Sequence, residues 1–435
     1  MPAGCYTART FSLFFSYFMP SKLTQKHIQE LVATYDPRKI TIGVLGGHSA
    51  LDVCQGVKKF GFKTLVIAQK GREKTYTEYY KVRSFSEDKK LKEKEESGCC
   101  GGGGCGDEGG GCGDSDDGGV GNFQIGCVDD VIVVDKFSDI TNPALQERLR
   151  KMNVVFIHNR YFWVYCDFEK IEKEFFVPIY GNRAAVKLEE RDQPKNQYWL
   201  LKEAGIRTPK IFSSYKEIDR LAIVKVNEAT RGYERAFFLA SSAEQCLETA
   251  KKMAKEGKIT MESFEKAVIE EYVLGAHVNL NFFYSPLVER LELMGTDTRR
   301  QTNLDGFLRL PADQQLEVLQ HQQPKMIETG HYAVTMKESL VEKAYEIGEK
   351  FVAVMGREVA PGMIGPFALQ GAVVAEDGRE EFVVFDVSMR IPGSPGTKFT
   401  PYSGYLFGDS LSYGERIGIE LRSAINQGRL AELVS

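Results

Sequence analysis

The chain has 435 residues, 43% of them apolar and 27% charged. At roughly 150 residues per domain this leaves room for about three packed units. No apolar run approaches the ~20 residues that a membrane-spanning helix needs. Fifty-six basic residues stand against 60 acidic ones, so no overall field favours nucleic acid, and nine cysteines are too sparse for a disulfide scaffold. A soluble, cytoplasmic, multidomain protein is expected.

Residues 11–19 (FSLFFSYFM) follow Arg9 with a faint signal-peptide texture. They lack a small-x-small cleavage site before Pro20, so 1–22 reads as a loose extension, with the chain proper starting near Met19. Runs rich in β-branched residues follow at 40–45, 64–68, 131–135 and 154–158, with helical spacing at 49–60 and 143–152. That alternation predicts a parallel-sheet α/β domain over 23–180. Such sheets bind ligands at the carboxyl ends of their strands, where Gly46, Gly47 and His48 fall here.

Between 86 and 121 a charged run leads into SGCCGGGGCGDEGGGCGDSDDGGVG, and 98–121 hold 13 of the chain's 42 glycines. A segment so poor in apolar groups cannot offset its ordering entropy, which predicts a flexible surface loop. Cys99, Cys100, Cys105 and Cys112, with Asp107, Asp114 and Asp116, are donors for a soft metal, but their spacing is not that of a paired CxxC zinc site.

From 181 the texture changes. A charged stretch opens at Lys187, a short helix spans 199–205, and strand, polar loop, strand, helix and strand follow at 222–226, 227–235, 236–240, 243–256 and 267–274. This order suits a small α+β lid over 181–275. The remainder, 276–435, shows strands at 278–284, 291–294, 365–374 and 381–388, with helices at 339–355 and 413–425.

Several side chains in these segments can carry chemistry. Lys225 ends an apolar strand before a polar loop, a place from which an ammonium reaches a phosphate chain or simply snorkels from a strand edge. Glu270, Glu271, Tyr272 and Val273 form a strand end whose backbone can pair with an adenine edge. Gln370 and Asp386 lie on consecutive strands. If these pair, the two side chains offer oxygen donors for magnesium, with a solvated polar face as the alternative. Arg390, four residues after Asp386, suits charge stabilisation on a transferring phosphoryl group. Asp297, Arg299 and Arg300 read as a loop-borne cluster suited to an anionic substrate or as solvated surface charge. His48 can donate to a phosphate or sugar, or be a structural histidine. No GxSxG, HExxH or Walker A pattern is present, and GxGxxG occurs only inside the glycine-rich segment, such as GCGDEG at 104–109, without a strand before it or a helix after it in the sequence pattern.

Taken together, the strings TIGVLGGHSAL, QKGRE, VVDKFSDITN, VPIYGNR, LLKEAGIRTPK, IEEYVLG, FFYSPL, TNLDGFLRLPADQQLE, PGMIGPFALQ and VVFDVSMR, from about Leu23 to the C-terminus, resemble one family. It is the archaeal, formate-dependent 5-formaminoimidazole-4-carboxamide ribonucleotide synthetases (PurP type) of the ATP-grasp superfamily. The resemblance implies an ATP-grasp fold: an N-terminal parallel-sheet domain, a small lid and a C-terminal α+β domain, with ATP between the last two. It implies formylation of the 5-amino group of the aminoimidazole carboxamide ribonucleotide, with ATP and Mg2+ (or Mn2+) required and a homo-oligomeric assembly. An ATP-grasp ligase with another acceptor and a non-catalytic nucleotide-binding subunit are the rival readings.

Carried over by position, His48, Tyr161 and His331 fall in the acceptor site, where Arg299 is also expected from its suitability for an anionic substrate. Lys187, Lys225, Gln301 and the 270–273 stretch fall in the nucleotide site and Gln370 and Asp386 at the metal, while Arg390, read from its place after Asp386, is expected at the reacting groups. The sequence departs from the family at several of them. Asp386 stands for a glutamate, Tyr161 for a serine, His331 for an asparagine and Gln301 for a glutamate. The lid loop reads NEATRGYERAFF, and the segment after the last metal strand is shortened to IPGSPGTKFTPYSG. An acceptor pocket altered in this way is sensitive, because each lost partner leaves a polar group unpaired.

Overall fold

The computed structural model describes residues 23–84, 124–190, 193–226, 237–322, 324, 327–376 and 378–435. The N-terminal extension, the Cys/Gly segment 86–121 with its candidate soft-metal donors, and the lid loop 227–235 lie outside the described residues.

The first layer is a sheet built from β1 (Thr41–Leu45), β2 (Lys63–Gln69), β5 (Asp130–Val134), β6 (Val154–Ile157) and β7 (Ile179–Tyr180). It is parallel throughout, in the order β5-β2-β1-β6-β7. Every residue of β1 and β6 is buried, as continuous β-branched runs covered on both faces demand. The short strands β3 (Arg83–Ser84) and β4 (Gln124–Ile125) pair antiparallel at the two ends of the segment left out. Helix Pro143–Lys151 starts where Asn142 accepts the Ala144 N–H at 3.0 Å, with proline at the first helical position. The last helix, Tyr413–Asn426, returns to this layer: its Tyr413, Ile417 and Leu421 share a core with Ile42, Val53 and Val57.

The expected lid divides. Ala185, Leu188, Leu200, Leu201 and Ile206 belong to the core of the C-terminal sheet. The lid sheet begins only at β8 (Ile211–Phe212), a strand too short to show in the sequence pattern. With β9 (Ala222–Lys225), β10 (Phe237–Ala240) and β11 (Val268–Glu271) it forms a four-stranded sheet of order β10-β9-β11-β8. Helix Ala243–Lys255, capped by Ser242, buries Cys246 and Ala250 against it.

The largest sheet is antiparallel, of order β14-β13-β12-β15-β16. Its strands are β12 (Ala276–Ser285), β13 (Arg290–Gln301), β14 (Glu328–Ala333), β15 (Gly365–Glu376) and β16 (Arg379–Ser388). Helix Glu338–Glu358 packs Leu340, Ala344, Phe351 and Met355 onto Leu280, Phe282, Phe367 and Leu369. One expectation is corrected here. Asp297, Arg299 and Arg300 are not on a loop but within β13, which pairs with β12 and then with β14. Charged residues on the face away from the helix hid the strand from a search for apolar alternation.

Candidate active site

The antiparallel sheet sets one row of polar side chains directly opposite one another. Asp297 on β13 faces Asn279 on β12, Asn279 faces Gln370 on β15, and Gln370 faces Asp386 on β16. Direct cross-strand partners share a face, so the row presents one polar surface. Arg299 stands two residues along from Asp297 on that face, opposite His331. Its Nη2 donates to Gln370 Oε1 and lies 4.0 Å from Asp386 Oδ2, while its Nε is 3.2 Å from Glu328 Oε2. The register shifts between Gln370 and Gly371, because Gly371 faces Val384 and leaves Phe385 as the extra residue of a bulge. A bulge re-aims side chains. Phe385 and Asp386, though adjacent, are both half-buried between fully buried neighbours.

His331 Nε2 lies 3.2 Å from Glu328 Oε1 and 3.7 Å from Asp297 Oδ2. The fully buried Asp297 carboxylate also accepts from Asn281 Nδ2 at 2.8 Å and from Ser394 Oγ at 3.1 Å. Gln370 Nε2 donates to Ser388 Oγ at 3.1 Å.

The edge strand β16 is held from the side by the segment that leads to the lid. Gln197 Oε1 accepts the Val387 N–H at 2.7 Å, and Glu189 Oε1 accepts the Met389 N–H at 2.6 Å. Glu189 Oε2 lies 3.6 Å from Arg390 Nη2. Burial pushes the Glu189 carboxyl up to about 7, against the pull of Arg390 and of the Met389 N–H.

His48 follows β1 and meets the same region from the parallel sheet. Its backbone carbonyl accepts from Asn159 Nδ2 at 3.0 Å, and Ser49 Oγ donates to Pro392 O at 2.7 Å. A Cβ on Gly393 would stand 2.3 Å from His48 Nδ1, and one on Gly47 would stand 2.2 Å from the Tyr161 ring. A side chain at either position would force the neighbouring ring to move. Tyr161 packs edge-on to His48, with ring centroids 6.0 Å apart. Burial holds His48 below the usual histidine range, helped by Arg390, Arg160 and His331 and opposed by Glu328. Just after β6, the neighbour of β1, His158 Nδ1 accepts from Trp163 Nε1 at 2.7 Å, and burial pushes its pKa down to about 3, so it stays neutral.

On the lid side, Lys225 and Glu270 form a buried ion pair between neighbouring strands. Tyr198 Oη donates to Glu270 Oε2 at 3.2 Å, and the Lys225 ammonium lies 5.9 Å from the Phe385 ring centroid. The lid and the polar row therefore meet at Phe385. Glu271 turns elsewhere, with its carboxylate 3.5 Å from Arg220 and accepting the Lys210 N–H at 3.3 Å. The Tyr272 N–H donates to Leu221 O at 2.9 Å, and Val273 follows it out of the strand. Lys187 pairs with Glu172 at 2.8 Å, apart from the Lys225 cluster. Gln301 ends β13 opposite Glu328.

The structure thus gathers Arg299, Gln370, Asp386 and His331 on one sheet face, and places His48, Tyr161 and Arg390 in one electrostatic neighbourhood. Glu189, Arg160, Glu328 and Phe385 join them and were not read from the sequence. Glu328 lies in ETGHYA, a stretch that shows no alternation of hydropathy although it forms β14. Asp386 and Gln370 supply the hard oxygen donors that magnesium takes, and the guanidinium beside both shows that the position draws positive charge. Among the described residues no three His, Cys, Asp or Glu side chains are grouped to hold a metal unaided, so phosphate oxygens would have to complete the shell.

Two profiles of families described only as a domain and a protein of unknown function match residues 245–435, and 42–98 with 117–212. The 5-formaminoimidazole-4-carboxamide-1-(beta)-D-ribofuranosyl 5'-monophosphate synthetase of Methanothermobacter thermautotrophicus is 34% identical over 418 residues, covering 95% of this chain and 100% of the relative. The Methanocaldococcus jannaschii protein of the same name is 34% identical over 415 residues, with the same coverage. Among solved structures, the IMP biosynthesis protein PurP of Thermococcus kodakaraensis superposes with a TM-score of 0.59 at 25% identity, covering 91% of this chain and 100% of its own. Biotin carboxylase from Campylobacter jejuni, in its β-γ-ATP complex, shares the fold at a TM-score of 0.52 and 12% identity, over 92% of this chain and 72% of its own.

Proposed function

The chain belongs to the 5-formaminoimidazole-4-carboxamide ribonucleotide synthetase family of ATP-grasp ligases, and from that premise we propose how its residues divide the work. The reaction joins formate to the 5-amino group of the aminoimidazole carboxamide ribonucleotide, with ATP split to ADP and phosphate, in purine biosynthesis. Formate is a poor electrophile, because its carboxylate is anionic and resonance-stabilised. Transfer of the γ-phosphoryl group to a formate oxygen gives formyl phosphate. The amine then attacks the carbonyl carbon, the C–O bond to phosphate breaks, and the amine loses a proton.

The observation that carries this division is the row on the antiparallel sheet, where Arg299 contacts Gln370 and approaches Asp386 to 4.0 Å. The row and the lid would hold ATP between them, with Asp386 and Lys225 placed to meet its phosphates. Asp386 and Gln370 would hold magnesium, which supplies charge neutralisation on the phosphates. Arg390 faces the transferring group and stabilises its charge, as a preorganised guanidinium does in a site already out of water. His48, Tyr161 and His331 border the acceptor. Arg299 bridges the two halves, and its positive charge suits an anionic acceptor. The lid excludes water from the acyl phosphate.

The enzyme works in the cytoplasm as a homo-oligomer on small molecules, with no role for nucleic acid. Among the described residues no helix is long and apolar enough to cross a membrane. ADP release by the purified protein with ATP, magnesium and formate, with and without the aminoimidazole carboxamide ribonucleotide, tests the reading. Release that needs both formate and the nucleotide supports it. ATP turnover indifferent to the nucleotide would give the site another acceptor, the reading that the Tyr161 ring beside Gly47 favours.

A further inference from the structure

Arg390 leaves the end of β16 with one backbone contact of its own, Nη1 to Ile391 O at 3.3 Å. Its guanidinium is nearly excluded from solvent, and a cation taken out of water keeps a fixed position only where an anion or acceptor holds it. Glu189 is that anion. One of its oxygens accepts the Met389 N–H at 2.6 Å and the other lies 3.6 Å from Arg390 Nη2, so a single carboxylate grips both the strand end and the side chain that follows. The carboxylate is itself anchored by its chain: Gln197 Nε2 donates to Glu189 O at 2.7 Å, while Gln197 Oε1 takes the Val387 N–H. Val384 N donates to Arg207 O at 2.9 Å, which completes a line of contacts along the free edge of β16. That edge carries Asp386 and Arg390, and an edge strand left uncovered twists and frays.

We infer that Glu189 is a positioning residue of the ligase: it holds Arg390 at the reacting groups and couples the segment leading to the lid to the end of β16. The inference rests on the role given to Arg390 under the proposed function. Glu189 acts through Arg390 and touches no substrate.

The groups that face Glu189 fix the pH signature. They are Arg390 and Asp386 from β16 and its continuation, and Arg160 from the helix after β6. With its carboxyl raised to about 7, the charged form that pairs with Arg390 is present above that pH and lost below it. The wild-type kcat/KM profile therefore carries an acid limb near neutrality.

Glu189→Gln keeps an oxygen for the Met389 N–H and removes the charge. It is expected to lower kcat about tenfold at pH 8, to leave the KM for ATP within about twofold, and to flatten the acid limb. Glu189→Asp, which restores the charge on a shorter arm, is expected to recover part of kcat and the limb. In an Arg390→Ala background Glu189→Gln is expected to add no further loss, because residues acting as a unit are not additive. A Glu189→Gln enzyme with wild-type kcat and an unchanged acid limb, or losses that simply add in the double variant, overturns the inference. Should Glu189→Gln fail to fold, the double-variant comparison is made with Glu189→Asp under the same criteria. Wild-type ADP release that ignores the nucleotide overturns the proposed acceptor instead, and the same variants are then read on that ADP release.

Discussion

The row on the antiparallel sheet and the proposed acceptor pocket at the end of β1 share one electrostatic neighbourhood but are built on different principles. The row is a property of backbone register. Once β12, β13, β15 and β16 pair, Asp297, Asn279, Gln370 and Asp386 must stand side by side. The pocket has no such rule. His48 comes from a strand end, Tyr161 from a short helix, His331 from an edge strand and Gly393 from a turn, and only side-chain packing brings them together. Under the proposed division of work, the machinery for phosphoryl transfer is fixed by the fold, whereas the acceptor pocket can change residue by residue while the fold stays.

The sharpest way to break the comparison is at the row. Asp386→Ala should lower kcat by roughly 10^3-fold in steady-state ADP release while the circular dichroism melt stays near wild type. A variant that keeps its turnover would take Asp386 out of the phosphoryl site. Next comes the lid. Lys225→Met leaves Glu270 as an uncompensated buried charge, which costs about 3–5 kcal/mol locally. Lid amides should exchange faster and the KM for ATP should rise at least tenfold, whereas Lys187→Met, with its partner Glu172, should change that KM less than twofold. The smallest effect belongs to the pocket. His331→Ala removes the side chain between Glu328 and Asp297 and should raise the acceptor KM about tenfold, with the KM for ATP unchanged. Equal rises in both constants would erase the distinction between the two regions.

The same difference explains what the sequence disclosed. The buried runs of the parallel sheet, the long helix Glu338–Glu358 and the pairing of Gln370 with Asp386 were all legible, because apolar period and strand order determine them. The charged half of β13 was not. Asp297 and Arg299 face the polar row rather than an apolar core, so the run shows no alternation of hydropathy. Glu189 and Phe385 were equally hidden. One depends on a carboxylate reaching a strand from a segment about 200 residues away, the other on a single-residue bulge that no periodicity announces. Glu271 and Lys187, expected at the nucleotide site from a strand end and from the family resemblance, have Arg220 and Glu172 as their nearest charged partners.

The central claim is an acyl phosphate made on the polar row and consumed at the pocket. Turnover with ATP, magnesium, the aminoimidazole carboxamide ribonucleotide and [18O]formate tests it most directly. The C–O–P bridge of formyl phosphate contains a formate oxygen, so one 18O per turnover should appear in inorganic phosphate. Release of ADP with unlabelled phosphate would contradict the account.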